Sequence, residues 1–361
     1  MASLVMLNQL LLTFYYFIMK KKTLLFMGLA CLMAWSSCKK DSNNDDDGYV
    51  ASDIFDPGRL VAAAAKGKLD TLARDFGFSE GPAVDKQGNI YFTDQPNDKI
   101  FRWDVSNSTL TTFLVGTGRS NGMAFDKSGY LIACADMYGE LWKIASNGNK
   151  TVLVNNYNGK LLNGPNDVWI NPVTGGLYIT DPIFPRGYWA PGDPRQQAWE
   201  PKRSEQAATG KGGHVYYLAP GARSLVRVTT EAAGWDADSW PNGVVGTPDG
   251  KKLYVNKWAG NNMGGTWVFD INADGTLTNM KKFNDMGGDG MSMDEKGNVY
   301  ISNGLGITAF DATGAKVLGI PIKGGATNNV FGGKDNNTLF ITGPSDKLTS
   351  VKMNVKGVEK F

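Results

Sequence analysis

From Phe76 onward, apolar and polar residues alternate in short runs, each closed by a turn rich in Gly, Asp or Asn. No helical period competes with this two-residue alternation, so the runs predict strands. Ser79-Glu-Gly-Pro-Ala-Val-Asp-Lys-Gln-Gly-Asn-Ile-Tyr-Phe-Thr-Asp94 reads as strand, glycine turn, strand, and equivalent phrases begin at Ser120, Pro165, Pro241, Gly288 and Thr327. Four of the five intervals lie near the roughly 40–45 residues of a four-stranded propeller blade, and the third carries an insertion over 183–213. Ile100–Asp104, Leu141–Ile144, His214–Leu218, Thr266–Asp270 and Ile307–Asp311 fit third strands. The pattern predicts an all-β, six-bladed β-propeller over 61–361. A strand around Lys68–Phe76 should complete the blade begun at Thr327, and that closure removes exposed sheet edges.

The chain before residue 61 follows another pattern. Residues 1–37 are mostly apolar, and Met19 through Cys38 carries a basic Lys20-Lys-Lys22, a short apolar run and small residues before the cysteine. We read Met19 as the start, 1–37 as a signal peptide and Cys38 as the residue to be lipidated. The apolar run Thr23–Ala34 is shorter than the about 20 residues a membrane span needs. Residues 38–60 open with Lys39-Lys-Asp-Ser-Asn-Asn-Asp-Asp-Asp-Gly48, a composition that cannot bury a core and predicts a flexible tether. The expected product is an exported bacterial lipoprotein, held to the membrane only by its lipid and facing the periplasm or cell surface, where calcium is available. A monomer is expected.

Composition narrows the chemistry. The 361 residues hold 37 Lys+Arg against 35 Asp+Glu, a formal charge of +2, which offers no basic face for nucleic acid. One His and three Cys cannot build a two-His zinc site, a four-Cys cluster or a disulfide framework, so any metal must be held by oxygen. Cys134, within Ile132-Ala-Cys-Ala135, reads as a small core residue, and the single His214 as a strand residue outside the chemistry.

Aligning the six phrases puts Glu80, Asn121, Asn166, Asn242, Asp289 and Asn328 in one register. Each opens an innermost strand, so a closed ring would aim all six at the axis at one height. Asn and Asp also suit turns, but Glu80 does not, and six polar groups in a narrow channel need another account. Buried carboxylates require counter-charge, and no Lys or Arg stands in this register. A divalent cation would supply it; two carboxylates with amide oxygens suit calcium, or magnesium or manganese, and disfavour zinc.

Phe78-Ser-Glu-Gly-Pro82, Leu162-Asn-Gly-Pro-Asn-Asp167, Ile179-Thr-Asp-Pro182, Trp240-Pro-Asn-Gly243, Asp289-Gly-Met291 and Asn328-Asn-Val-Phe-Gly-Gly333 occur in order, and over roughly 70–355 the chain resembles the gluconolactonase and regucalcin family of six-bladed propellers. The resemblance implies a divalent metal, usually calcium, on Glu80, Asn242 and Asp289, with Asn166 beside it contacting metal or substrate. It further implies hydrolysis of a sugar lactone or related cyclic ester, with Asp289 as ligand and candidate general base. Gly164 stands where regucalcin carries an Arg, so the sugar-acid specificity of the best-known members is not carried over.

Asn121, Asn166, Asn328 and Asp167 are the candidate substrate contacts in the ring. Asp167 ranks second as base, because strand alternation should turn it away from the axis unless the backbone is irregular. The insertion adds Tyr188 and Trp189, aromatic groups suited to a carbohydrate-like ligand, as a candidate lid. Two competing functions remain open: a non-catalytic, metal-bearing propeller that binds a sugar acid or glycan, and a related propeller enzyme with different chemistry.

Overall fold

The computed structural model describes residues 69–361 apart from 183, 185–212, 231–233, 236–239, 260–261, 344–345 and 360–361. The leader with Cys38, and Tyr188 and Trp189 in the insertion, lie outside the described residues. Six four-stranded antiparallel sheets form the blades. The first runs β2 (Ser79–Val84), β3 (Ile90–Asp94), β4 (Lys99–Asp104) and β5 (Thr109–Val115), and the second β6 (Met123–Phe125), β7 (Leu131–Ala135), β8 (Glu140–Ile144) and β9 (Lys150–Val154). The third holds β10 (Val168–Ile170), β11 (Leu177–Asp181), β12 (His214–Leu218) and β13 (Val226–Arg227). The fourth holds β14 (Trp240–Gly246), β15 (Lys252–Ala259), β16 (Asn262–Ile271) and β17 (Leu277–Asn284), and the fifth β18 (Met291–Met293), β19 (Val299–Asn303), β20 (Gly306–Phe310) and β21 (Lys316–Pro321).

The sixth blade joins the two ends of the described chain. β22 (Asn328–Gly332), β23 (Thr338–Thr342) and β24 (Lys347–Lys352) are followed outward by β1 (Asp70–Arg74), which pairs Asp70 with Ser350 and Arg74 with Lys347. The ring therefore closes by hydrogen bonding between its first and last strands, as the sequence predicts.

Each innermost strand neighbours the next around the hub, β2 to β6, β10, β14, β18, β22 and back to β2. The core is correspondingly divided into six apolar layers, one at each blade interface. Between blades three and four, Tyr178, Val215 and Tyr217 meet Val244, Leu253, Val255 and Phe269. Trp103 and Trp142 lie on the third strands of blades one and two and are buried in these layers. Burial of such side chains contributes roughly 1.5–3 kcal/mol each, so inter-blade packing holds the inner strands close enough to build a site at the axis. Among the described residues no helix is long and apolar enough to cross a membrane.

Candidate metal centre and active site

The residues of the predicted ring stand at or just before the start of the inner strands, and contacts between adjacent blades link them in a circle. Thr93 Oγ1 of blade one donates to the Asn121 carbonyl at 3.3 Å, and Gly122 N–H donates to the Asn166 carbonyl at 2.6 Å. Val244 N–H donates to Asp167 Oδ2 at 3.2 Å, and Gly243 N–H to the Asp289 carbonyl at 3.2 Å. Gly290 N–H reaches the Thr327 carbonyl at 2.8 Å, and Asn328 Nδ2 closes the circle on Glu80 Oε2 at 3.1 Å. Glu80 is 2 % exposed, and Asn121, Asn166, Asn242 and Asn328 are also buried. Asp289 is half-buried.

A recurrent backbone irregularity produces this geometry. Asn166 N–H donates to the Thr180 carbonyl while Thr180 N–H donates to the Asp167 carbonyl, so two residues oppose one, a β-bulge. The same pattern sets Asn121 and Gly122 against Cys134, and Asp289 and Gly290 against Ser302. Register shifts at Glu80/Ala83 and Pro241/Val244 repeat it in blades one and four, whereas Asn328 pairs regularly with Thr342. In those five blades the bulge directs the residue after the ring member toward the next blade. Glycine there allows close approach: a Cβ on Gly290 would stand 1.9 Å from the Asn328 carboxamide.

Blade three places Asp167 at this glycine position, which corrects the expectation that alternation would turn it away. Its carboxylate accepts Val168 N–H at 2.9 Å and Val244 N–H from blade four. A Cβ on Gly122 would stand 2.2 Å from its Oδ1. Burial, with the Glu80 charge adding to it, pushes Asp167 up to about 7. The hub thus gathers acidic groups that raise one another's cost.

Three further carboxylates, given no role from the sequence, shape the approach to the ring. Asp181 accepts the N–H groups of Asn163 and Gly164 at 3.0 and 2.9 Å, fixing the segment that enters Asn166. Burial pushes Asp181 up to about 7 despite those two hydrogen bonds, with the nearby Asp136 charge acting in the same direction. Asp94 does the equivalent work in blade one, accepting Gly77 and Phe78 N–H at 3.0 and 3.2 Å ahead of Glu80. The repeated Thr-Asp at the end of a second strand, Thr93-Asp94 and Thr180-Asp181, is the signal that could have revealed them. Asp136, held by Gln95 Nε2 at 2.8 Å, puts its Oδ1 2.4 Å from where a Cβ on Gly164 would lie. A carboxylate therefore occupies the space into which a side chain at 164 would grow.

His214 lies on β12 with its Nδ1 3.0 Å from the Thr229 carbonyl, in a third strand rather than the ring. Cys134 is fully buried in the layer between blades two and three, and burial, with Asp167, Asp136 and Asp181 adding to it, pushes its thiol well above the usual range. Neither residue is placed as a nucleophile.

Among the described residues no three His, Cys, Asp or Glu side chains form a metal cluster. The ring instead offers two carboxylates and four amides, an all-oxygen donor set that fits a hard divalent cation through Glu80, Asn166, Asn242 and Asp289. The buried charge of Glu80 beside Asp167 is the burden such a cation would offset.

Residues 78–344 match the profile of the SMP-30/gluconolactonase/LRE-like region. A gluconolactonase of Zymomonas mobilis is 27% identical over 336 residues, 85% of this chain and 86% of that protein. The structure of a gluconolactonase from Xanthomonas campestris superposes with a TM-score of 0.68 at 28% identity, covering 81% of this chain and 91% of the other. The calcium-binding protein regucalcin from Agrobacterium tumefaciens shares the fold, with a TM-score of 0.59 at 17% identity over 81% of this chain and 96% of that one. With a closed six-bladed ring, the ordered motifs and a profile match across most of its length, this chain belongs to the SMP-30/gluconolactonase/LRE-like family.

Proposed function

We propose that this protein hydrolyses a lactone, a sugar lactone or related cyclic ester, at the ring end of its axial channel, with calcium as the bound cation. The observation that carries the reading is the linked circle of oxygen-bearing residues, in which Glu80 and Asn328 are in direct contact. Glu80, Asn166, Asn242 and Asp289 would hold the cation. When bound, it supplies Lewis-acid polarisation of the lactone carbonyl and compensates the hub carboxylates.

The side chains divide the remaining work. Glu80 already accepts the Gly81 N–H at 2.7 Å and the Asn328 amide, so it is fixed rather than free to exchange protons. Asp289 is the more accessible acid, and its backbone carbonyl is anchored to blade four by Asn256 Nδ2 at 2.7 Å. Asp289 accepts a proton from the attacking water as the water oxygen bonds to the carbonyl carbon. The ring C–O bond then breaks, and the same proton passes to the departing alkoxide, giving a hydroxy acid. Proton transfer of this kind requires contact within about 2.6–3.2 Å, directly or through one water. Asn121 offers its amide to substrate hydroxyls, while Asp167 positions Asn166 and Val244 of β14.

The substrate preference should differ from that of relatives with an arginine two residues before the ring Asn, because Gly164 and the Asp136 carboxylate replace a cation with an anion. Residues 19–38 support export and lipidation at Cys38, and acyl labelling lost in Cys38→Ala would test this. A panel of lactones assayed with calcium and then with chelator tests the function. Chelator-sensitive hydrolysis, restored by calcium, is expected; tight binding without turnover would replace the reading with a sugar-acid or glycan binder.

A further inference from the structure

Past the ring, the six inner strands run on to the opposite face of the propeller, where the channel widens into a cavity of about 710 Å³. This is within the size range of sites that enclose small organic ligands. Near the axis its walls are Ala83, Met123, Val168, Val245, Met291 and Val330, each lying beyond a ring member on its strand. The cavity is not symmetric. Only in blades two and three does it extend onto outer strands, where Ile132, Leu153, Leu177 and Leu218 line an apolar arm between the two sheets.

The two ends of this track differ in charge. At the mouth of the arm stand Lys127, Lys143 and Arg223, against Asp126, which pairs with Lys143 at 3.2 Å. Lys86 adds a further cation, its Nζ donating to the Lys127 carbonyl at 2.8 Å. The end across the axis holds Val358 and Glu359, and the buried Oε2 of Glu359 has no hydrogen-bond partner among the described residues. An unpartnered polar atom in a buried wall costs free energy unless a water or ligand meets it.

We propose that this cavity binds a free single-chain fatty carboxylate, its hydrocarbon chain in the apolar arm and channel and its head at Lys127, Lys143 and Arg223. The long apolar track selects a chain over a sugar, which would leave its hydroxyls unpaired there. The cationic mouth selects an anionic head over a neutral or cationic one. Glu359 fixes the direction, because an anionic head at that end would face a carboxyl group and, among the described lining residues there, no cation. The inner end of the cavity reaches the ring at Asp167 and Asn328, but the arm and its cationic mouth lie away from the ring in blades two and three, so the assignment does not depend on the lactone chemistry.

Dodecanoate titrated against the full protein, followed by displacement of a dansylated undecanoic acid, tests the assignment. One-to-one saturable binding is expected, with dodecylamine and dodecanol at least about tenfold weaker. Lys143→Glu combined with Arg223→Glu should weaken dodecanoate by about tenfold or more, and Ala222→Trp, which fills the mouth of the arm, should abolish binding. Lactone hydrolysis should be unchanged in both variants, since none of the three substituted residues belongs to the ring. Absence of saturable dodecanoate binding, equal binding of the amine, or full binding by the charge-reversed pair would overturn the proposal. So would attachment to anionic vesicles without uptake of the free acid.

Discussion

The two ends of the axial channel are made by the same six strands and share almost no chemistry. At one end each strand contributes an amide or carboxylate, Glu80, Asn121, Asn166, Asn242, Asp289 or Asn328; a few residues further on it contributes Val84, Phe125, Ile170, Val245, Met293 or Val330. The polar end sits at the bulged entry of the strands, where backbone groups are exchanged between blades. The apolar end sits where regular pairing resumes and the side chains pack. A propeller can thus hold a costly polar hub because the apolar layers between blades offset it, and each end can be altered without the other.

The comparison can be tested from its strongest element downward. Asp289→Asn should lower kcat for lactone hydrolysis by about 10²–10⁴ while circular dichroism and melting remain those of the parent. Near-parental turnover in a folded variant would remove Asp289 from the mechanism. Asp181→Ala leaves the Asn163 and Gly164 N–H groups without their acceptor and should cost about 1–3 kcal/mol for each in urea unfolding. A loss confined to a few tenths would mean that water replaces the carboxylate. Gly290→Ala forces a Cβ into the Asn328 carboxamide and should cost about 1–3 kcal/mol while also weakening calcium binding measured by calorimetry. Unchanged calcium affinity would separate Asn328 from the ring's function.

The smallest effect is expected at the far end, through pH. Burial pushes Glu359 from the ordinary 4.5 up to about 7, so the folded chain keeps a proton that the unfolded chain releases. Its contribution is complete below pH 4.5 and is lost as pH rises through about 7. Glu359→Gln should therefore flatten the decline of urea midpoints across that window, by on the order of 1–2 kcal/mol, with hydrolysis unaffected. An identical decline in the variant would place the titration elsewhere.

Much of the fold was legible because repetition is a sequence property. The six phrases, the five third strands and the closing strand around Asp70–Arg74 follow from period and alternation. The ring was legible for the same reason, since residues at one position of a repeat occupy one position in a closed structure. Asp167 was misread because alternation assumes regular pairing, and a bulge adds a residue that a two-residue period cannot register. Asp94 and Asp181 carried a signal in the repeated Thr-Asp, but the backbone N–H groups they accept lie 16–18 residues away and that link is invisible along the chain, while Asp136, held by Gln95 across blades, left no pattern at all.

The sequence by itself determined the number of blades, the strand that fastens them and the six groups offered to the hub, all of which depend on local pattern repeated at a fixed period. Tertiary structure decided that Asp136 occupies the space beside Gly164, that Asp167 faces blade four, and that one apolar arm opens between blades two and three. Those outcomes depend on how closely neighbouring sheets approach, and close approach between residues far apart in the chain is set by packing, which no single segment encodes.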